Sequence, residues 1–277
     1  MATLKYRDKD GVWKYAPSLK YKNGNDVFEI TNGLKYKDEQ GVWHKVNICG
    51  SKSDDNGDYP TISTLAVGSS VYLNENGSPA EYLIVHQGLP SDMYDASCDG
   101  VWLLRKEVYE NREWHSSNAN DYAKSTIHNY LNNTFLGLFD SKTQLKIKQV
   151  KIPYNNGLGT VHDVNSGENG LSTKVFLLSY YEVGYTSADS PLDGVKLNYF
   201  TSGSSAAAND IRIAYMNGTN NKWGLRSPVN NNTQLCWTVS TTGNGGSSHC
   251  SALNGVRPAL ILPYNVKLDP NTNTIVG

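Results

Sequence analysis

The stretch from Ala214 to Leu262 constrains the fold of this chain most, because short apolar pieces alternate in it with loops of Asn, Gly, Ser and Thr. The apolar pieces surround Trp223, Trp237 and Leu260. Asn and Gly tolerate left-handed backbone, and Asn, Ser and Thr side chains offer short donors and acceptors. The alternation therefore predicts rigid strands joined by exposed turns. Antibody binding loops have this composition, and ordinary surface loops share it.

Length and charge exclude several classes of protein. A chain of 277 residues is long enough for one large domain and a smaller one. Its net charge is −1, with 25 basic and 26 acidic residues, so we expect no nucleic-acid partner. The longest apolar runs, such as Val175-Phe176-Leu177-Leu178, have the length of a strand, so we expect no membrane insertion. The N-terminal residues lack the pattern of a signal peptide, and we expect synthesis in the cytoplasm.

A short internal repeat occupies the first part of the chain. Leu4-Lys5-Tyr6, Leu19-Lys20-Tyr21 and Leu34-Lys35-Tyr36 begin at a spacing of 15 residues. Each copy predicts a strand, a Gly-containing turn and a second strand. A lone hairpin cannot bury its apolar face, so we expect residues 1–49 to form an arm that docks on an assembly or trimerises. The alternative is a meander of three hairpins packed on the main domain.

Residues 50–64 are polar and rich in turn formers, and we place a linker there. The pattern in residues 65–277 predicts an α+β domain in which short helices and small antiparallel sheets are joined by long loops. Ile127, Leu131 and Phe135 have helical spacing. Capping-box patterns predict that further helices start at Ser141 and at Ser179.

An ordered set of motifs resembles a family of domains that is widespread in gut bacteria and their phages. The motifs are Trp114, the piece from Ile127 to Phe135, Leu177-Leu178-Ser179, Trp223-Gly224-Leu225-Arg226-Ser227-Pro228 and Gly255-Val256-Arg257-Pro258-Ala259-Leu260. The resemblance covers roughly Leu65 to Leu262. It implies a C-type-lectin-like fold of the formylglycine-generating-enzyme type. Relatives of that fold include the variable proteins of diversity-generating retroelements, such as phage tail receptor-binding proteins, whose C-terminal loops are rewritten by adenine-directed mutagenesis.

The resemblance places a binding surface on the C-terminal loops, where Asn is frequent. We expect Arg226 and Arg257 to bind backbone carbonyls or a carboxylate inside the scaffold. The candidate ligand-binding residues are Tyr215, Asn217, Asn220, Asn221, Lys222, Asn230, Asn231, Asn232, Gln234, Trp237, Thr241, Asn244, Ser247, Ser248, His249 and Asn254.

Patterns typical of catalysis are missing from the sequence. The six histidines show no metal-ligand spacing, and Cys236, His249 and Cys250 on one flexible loop are weak evidence for a metal site. Cys236 and Cys250 flank a Gly-rich loop, and the sequence leaves open whether they are bonded. They do not match the cysteine pair of formylglycine-generating enzymes. We therefore expect no enzymatic activity, no catalytic residue, no metal and no cofactor.

These inferences predict a non-enzymatic adhesin at the tip of a phage or prophage tail. Its partners would be a host cell-surface protein or glycan, together with other virion proteins bound through residues 1–49. We expect a homotrimer, because multivalent display compensates for weak single-site affinity. Two alternatives remain open, namely a structural tail or baseplate component and an oxidase related to the formylglycine-generating enzymes.

Overall fold

The chain divides into two compact units, Met1–Asp58 and Tyr59–Gly277. The computed structural model describes residues 59–161 and 163–276 fully, and of the first 58 residues it describes only the backbone of six short strands. The division between the units falls inside the polar stretch 50–64.

The first unit contains three antiparallel hairpins, one for each copy of the repeat. They pair β1 (Lys5–Arg7) with β2 (Trp13–Tyr15), β3 (Tyr21–Lys22) with β4 (Phe28–Glu29), and β5 (Lys35–Lys37) with β6 (Trp43–Lys45). Arg7 pairs with Trp13, Lys22 with Phe28 and Lys37 with Trp43, so the same register recurs every 15 residues. The role of this arm in assembly or trimerisation stays a prediction.

The second unit is mostly β-sheet with a few short helices and many loops, which confirms the α+β prediction at this level of detail. Its strands are β7 (Ser70–Glu75), β8 (Ser78–Gln87), β9 (Val101–Arg105), β10 (Asn111–Glu113), β11 (Val150–Ile152), β12 (Tyr154–Asn155), β13 (Val164–Asn165), β14 (Leu171–Thr173), β15 (Val175–Phe176), β16 (Ala214–Met216), β17 (Thr219–Asn221), β18 (Trp223–Pro228), β19 (Leu235–Val239), β20 (Gly245–His249), β21 (Leu253–Gly255) and β22 (Ala259–Leu262). Its helices are α1 (Thr126–Tyr130), α2 (Ser141–Lys146) and α3 (Ala206–Asp210), with a π-helical turn at Leu131–Phe135 and 3₁₀ turns at Ile62–Thr64, Ala96–Cys98, Tyr122–Lys124, Leu136–Leu138 and Gly167–Asn169.

A central sheet in the order β15-β22-β9-β8-β7 separates two hydrophobic cores. Successive side chains of a strand point to opposite faces of a sheet. On β9, Val101 and Leu103 accordingly belong to one core, and Trp102 and Leu104 belong to the other. Because both faces are covered, β9 and β22 are nearly continuous apolar runs.

A second five-stranded sheet, in the order β10-β21-β18-β19-β20, carries most of the stretch from Ala214 to Leu262. Strands β18 and β21 run parallel and pair through Trp223 and Gly255, whereas the other neighbours are antiparallel. The hairpin β16–β17 lies just before β18 in the chain, and the turn 240–244 joins β19 to β20. This sheet therefore positions the predicted binding loops.

The helices follow the local sequence signals in part. Ile127, Leu131 and Phe135 are buried along the helical segment that Ser125 caps, which confirms the predicted spacing. The helix α2 is capped by Asp140 and not by Ser141, because the Asp140 carboxylate accepts from the N–H groups of Lys142 and Thr143. No helix starts at Ser179 in the structure, so that prediction is wrong. Ser179 and Glu182 still form the two reciprocal capping hydrogen bonds, at 3.1 and 2.8 Å, around a turn.

Candidate binding surface

A buried ion pair anchors the strand β18 beneath the predicted loops. Nη1 and Nη2 of Arg226 donate to Oε2 and Oε1 of Glu182 at 2.5 and 2.6 Å, and both side chains are fully buried. Arg226 also donates to the carbonyls of Pro153, Leu177 and Asp193 at 3.0, 3.1 and 2.7 Å. Burial lowers the pKa of the guanidinium, but the charge and hydrogen bonds of Glu182, together with Asp193 and Tyr94, raise the pKa overall. The prediction that Arg226 binds carbonyls or a carboxylate is confirmed.

A second carboxylate, Asp193, completes this cluster. Both of its oxygens lie within 2.9 Å of the Ser227 hydroxyl, and Tyr180 N donates to the same hydroxyl oxygen at 2.9 Å. Burial raises the pKa of Asp193 to about 7, although nearby Arg226 opposes the shift. The cluster therefore connects β18 to the segment around Glu182 and Asp193.

Arg257 also acts inside the scaffold. Its Nε donates to the Arg105 carbonyl at 2.9 Å, and its guanidinium lies 4.8 Å from the centroid of the Trp223 ring. Its Nη1 has no hydrogen-bond partner among the described residues. Burial lowers the pKa of Arg257 to about 10. The predicted contact with a backbone carbonyl is confirmed here as well.

One group of candidate residues surrounds the hairpin β16–β17 and the turn 240–244. Asn217 and Gly218 have φ angles of 52° and 77°, as a type I′ turn between two strands requires. Asn220 Nδ2 donates to the Thr241 carbonyl at 3.1 Å and so joins the hairpin to the turn. Asn244 Oδ1 accepts from Asn209 Nδ2 at 2.8 Å. Tyr215, with 44% of its surface exposed, lies on this hairpin.

The remaining members of this group are Asn221 and Lys222. Asn221 Nδ2 donates to Asn111 Oδ1 at 3.0 Å, which fixes the end of β17. Lys222 Nζ lies 3.3 Å from Ser248 Oγ, so its side chain reaches β20. Both side chains are half-buried. They consequently have structural partners in addition to any ligand they contact.

A second group lies at the opposite end of the hairpin β19–β20. Asn231, at a φ of 56°, and Gln234 are exposed, and so is His249. Asn232 Oδ1 accepts from Gln234 N and Leu235 N at 2.7 and 2.8 Å, which makes it a turn-forming residue. The pairs Leu235–His249 and Val239–Gly245 mark the two ends of the hairpin, about 13 Å apart at about 3.3 Å per residue. The candidate residues thus form two groups, with Ser247 and Ser248 between them.

Two candidate residues are buried, and a third, Trp237, is half-buried against a neighbouring ring. Asn230 and Asn254 are each only 4% exposed, and their side-chain amides donate to the carbonyls of Ala188 and Ala252. Trp237 is half-buried and stacks on Tyr180, with ring centroids 4.1 Å apart. Asn230 and Asn254 therefore present no exposed side chain, and Trp237 presents only part of its ring system.

Asn120 is a residue of this region that the sequence did not reveal. Its side chain is fully buried, and Nδ2 donates to the carbonyls of Asn232 and Leu235 at 2.9 Å each. Its Oδ1 accepts from Leu158 N at 2.6 Å. One amide thus joins three separate segments and holds the loop 230–234 in place. Its partners are 38 to 115 positions away, so no local pattern could have identified it.

The two cysteines of the candidate region are buried free thiols. Cys236 Sγ donates to the Ser248 carbonyl at 3.6 Å. A hydrogen bond with Cys236, together with burial, raises the pKa of Cys250. A raised pKa disfavours the thiolate, which is the nucleophile and metal ligand. In residues 59–161 and 163–276, no three His, Cys, Asp or Glu side chains come together as a metal site.

The described residues define a loop-rich α+β protein in which buried Asn120 holds the loop 230–234 and buried Arg226 anchors β18. A family model described as "Domain of unknown function (DUF6273)" matches residues 99–264, which is more than half of the chain, so the chain belongs to this family. No curated protein and no solved structure matches the chain. Within the described part of the chain, no helix is long and apolar enough to cross a membrane.

Proposed function

We propose that this chain is a non-enzymatic ligand-binding protein that serves as a receptor-binding protein at the tip of a phage or prophage tail. The observation that carries the proposal is the contrast between exposed neutral side chains on the candidate loops and hairpins and the buried polar groups of the scaffold that carries them. Tyr215, Thr241, Gln234 and His249 are exposed, whereas Asn120, which holds the loop 230–234, and Arg226, which anchors β18, are buried. A rigid scaffold with adaptable polar loops suits recognition.

The proposal includes a C-type-lectin-like fold for residues 65–277, with host cell-surface protein or glycan as the ligand. The small sheets, short helices and long loops of the second unit are compatible with that fold. The hairpin arm is proposed to bind other virion proteins and to hold a homotrimer in the virion tail. Trimeric display would raise the avidity of a weak single site.

We also propose that a retroelement diversifies the loops. Burial then separates the positions that can vary from those that cannot. Asn220, Asn231 and Asn244 are exposed, whereas Asn230 and Asn254 are buried. Sequencing the DNA beside the gene in several isolates tests this, and we expect a reverse transcriptase gene with a near-copy of the bases for residues 214–262. Substitutions at buried Asn230 as frequent as those at exposed Asn231 would contradict it.

Adsorption of assembled particles to host cells tests the binding function. In one variant Tyr215, Gln234, Thr241 and His249 are changed to Ala, and we expect adsorption to slow at least about tenfold, because interface anchors carry most of the binding energy. The matched control changes Lys142 and Leu145 to Ala, which are exposed on α2. Equal adsorption by both variants would remove the proposal and favour a structural tail component.

A further inference from the structure

Strand β20 forms an open edge of the second five-stranded sheet. In the sheet order β10-β21-β18-β19-β20 it has β19 on one side, and none of the described residues pairs with its other side. Gly245, Ser247 and His249 are exposed. The edge lies between the two groups of candidate residues, so a ligand seated along it would contact both.

The register shows which backbone groups of β20 point outward. Cys250 N donates to the Gln234 carbonyl and Ser240 N donates to the Asn244 carbonyl, so these pairs, and every second pair between them, are the hydrogen-bonded ones. Leu235 belongs to the alternate set, and its carbonyl accepts from Val229 N on the side away from β20. On β20 this alternate set consists of Gly245, Ser247 and His249, which lie opposite Val239, Trp237 and Leu235. Their backbone N–H and carbonyl groups therefore point away from β19.

These outward groups have few partners within the described residues. The His249 carbonyl accepts from Ala252 N, whereas no hydrogen bond involves the N–H groups of Gly245, Ser247 and His249 or the carbonyls of Gly245 and Ser247. Five groups thus remain, at residues two positions apart, or about 7 Å along the strand. They form an alternating row of donors and acceptors.

The sequence of β20 lacks the features that protect edges. Natural edge strands carry Lys, Pro, a bulge or inward-pointing charge. Residues Gly245-Gly246-Ser247-Ser248-His249 contain no Lys and no Pro, and their register with β19 is unbroken. The nearby cation Lys222 is directed to Ser248, whose side chain lies on the face opposite to that of Ser247. Small neutral side chains let another main chain approach closely.

We propose that the β20 edge binds an extended, uncharged polypeptide segment of the ligand protein by strand addition. The inference rests on the proposed binding function and names its ligand class. An extended main chain presents carbonyl and N–H groups at the period of the free groups on β20, whereas the hydroxyl groups of a glycan do not. An uncharged segment fits because no exposed side chain of β20 carries a fixed charge.

The test compares Ser247→Pro with Ser247→Ala in the full-length chain. Proline at position 247 removes an outward N–H while the hydrogen bonds to β19 stay, and proline is tolerated on edge strands in this orientation. Alanine removes only the side-chain hydroxyl and keeps the backbone N–H. The probe is a phage-displayed library of random linear heptapeptides, selected on the wild-type chain, with affinities measured by fluorescence anisotropy. Thermal unfolding checks each fold, and His249→Pro, which removes another outward N–H, replaces Ser247→Pro where the latter fails to fold.

We expect selected peptides to bind Ser247→Pro at least about tenfold more weakly than Ser247→Ala, because both variants lack the Ser247 hydroxyl and only the proline variant also lacks the outward N–H. Equal binding to Ser247→Pro, or no enrichment of peptides beyond a selection on that variant, would overturn the inference. A wild-type dimer that Ser247→Pro makes monomeric in light scattering would assign the edge to a second copy and overturn it too. Particles that carry Ser247→Pro and still adsorb, while the four-residue alanine variant does not, would leave the binding function standing without this ligand class.

Discussion

At the scale of single residues, the fully buried Glu182–Arg226 pair joins β18 to the segment around Glu182. Removing one partner of a buried pair leaves an uncompensated charge, so we expect Glu182→Gln to lower the free energy of unfolding by about 3–5 kcal/mol. Glu110→Gln is the matched control, because the side chains of Glu110 and Arg112 are 37% and 41% exposed. An exposed pair contributes about 1 kcal/mol or less. Urea unfolding measures both, and equal losses would contradict the central role of Arg226.

Asp193 predicts a pH dependence of stability. Its pKa is about 7 in the folded chain and 3.8 when the carboxyl is free in water. Between pH 3.8 and 7 the folded chain therefore keeps this carboxyl protonated, whereas the unfolded chain releases the proton. Stability contributed by this carboxyl is therefore complete below about pH 4, falls as the pH rises towards 7, and stays low above it. The difference is about 4 kcal/mol at most, at about 1.4 kcal/mol per pKa unit.

The comparison of wild type with Asp193→Asn isolates this effect. Burial lowers the pKa of both His86 and His128, so these groups destabilise the fold as the pH falls and act in the opposite direction. They are present in both proteins, and their contribution cancels in the difference. We expect urea unfolding to show the wild type losing stability relative to Asp193→Asn between pH 4 and 7. A constant difference across this range would show that Asp193 is already ionised at the lower end.

At the scale of elements, two turns that each contain a glycine with the same φ angle differ in how closely other residues pack against them. Gly218 and Gly243 both have a φ of 77°. A Cβ at Gly218 would meet nothing within 4 Å, whereas a Cβ at Gly243 would lie 2.0 Å from the Asn209 carbonyl oxygen. We expect Gly218→Ala to cost about 1–2 kcal/mol for its left-handed backbone, and Gly243→Ala to cost clearly more, because α3 must also move. Thermal unfolding measures the loss of stability in both variants. A larger loss for Gly218→Ala than for Gly243→Ala would contradict the prediction.

The sequence predicted helices and hairpins correctly where neighbouring residues determine them. The spacing of Ile127, Leu131 and Phe135 predicted a helical segment, and the 15-residue repeat predicted hairpins. The capping box at Ser179 formed its hydrogen bonds but no helix, and Glu182 pairs in addition with Arg226, 44 positions further on. A sequence pattern does not contain that distant partner.

The candidate site was predictable to the same extent. Turn chemistry indicated which loops are exposed, and Asn217 and Gly218 form the kind of turn that their side chains favour. Composition could not separate exposed Asn231 from buried Asn230, because the difference depends on the distant Ala188 carbonyl. Likewise, the open edge at β20 depends on the order of the strands in the sheet, which no local pattern encodes.

At the scale of the whole molecule, the second unit contains the groups that complete its own fold. Both faces of its central sheet are covered by cores drawn from residues 59–276, and its buried ion pair is internal. We therefore expect the fragment Tyr59–Gly277 to fold alone and to keep its pattern of amide protection. If the hairpin arm holds a trimer as proposed, light scattering will give a trimer for the full chain and a monomer for the fragment. The melting temperature will depend on protein concentration only for the full chain, because assembly stabilises by mass action. If both proteins are trimers, the trimer contact lies outside residues 1–58. If both are monomers, the proposed trimer is wrong.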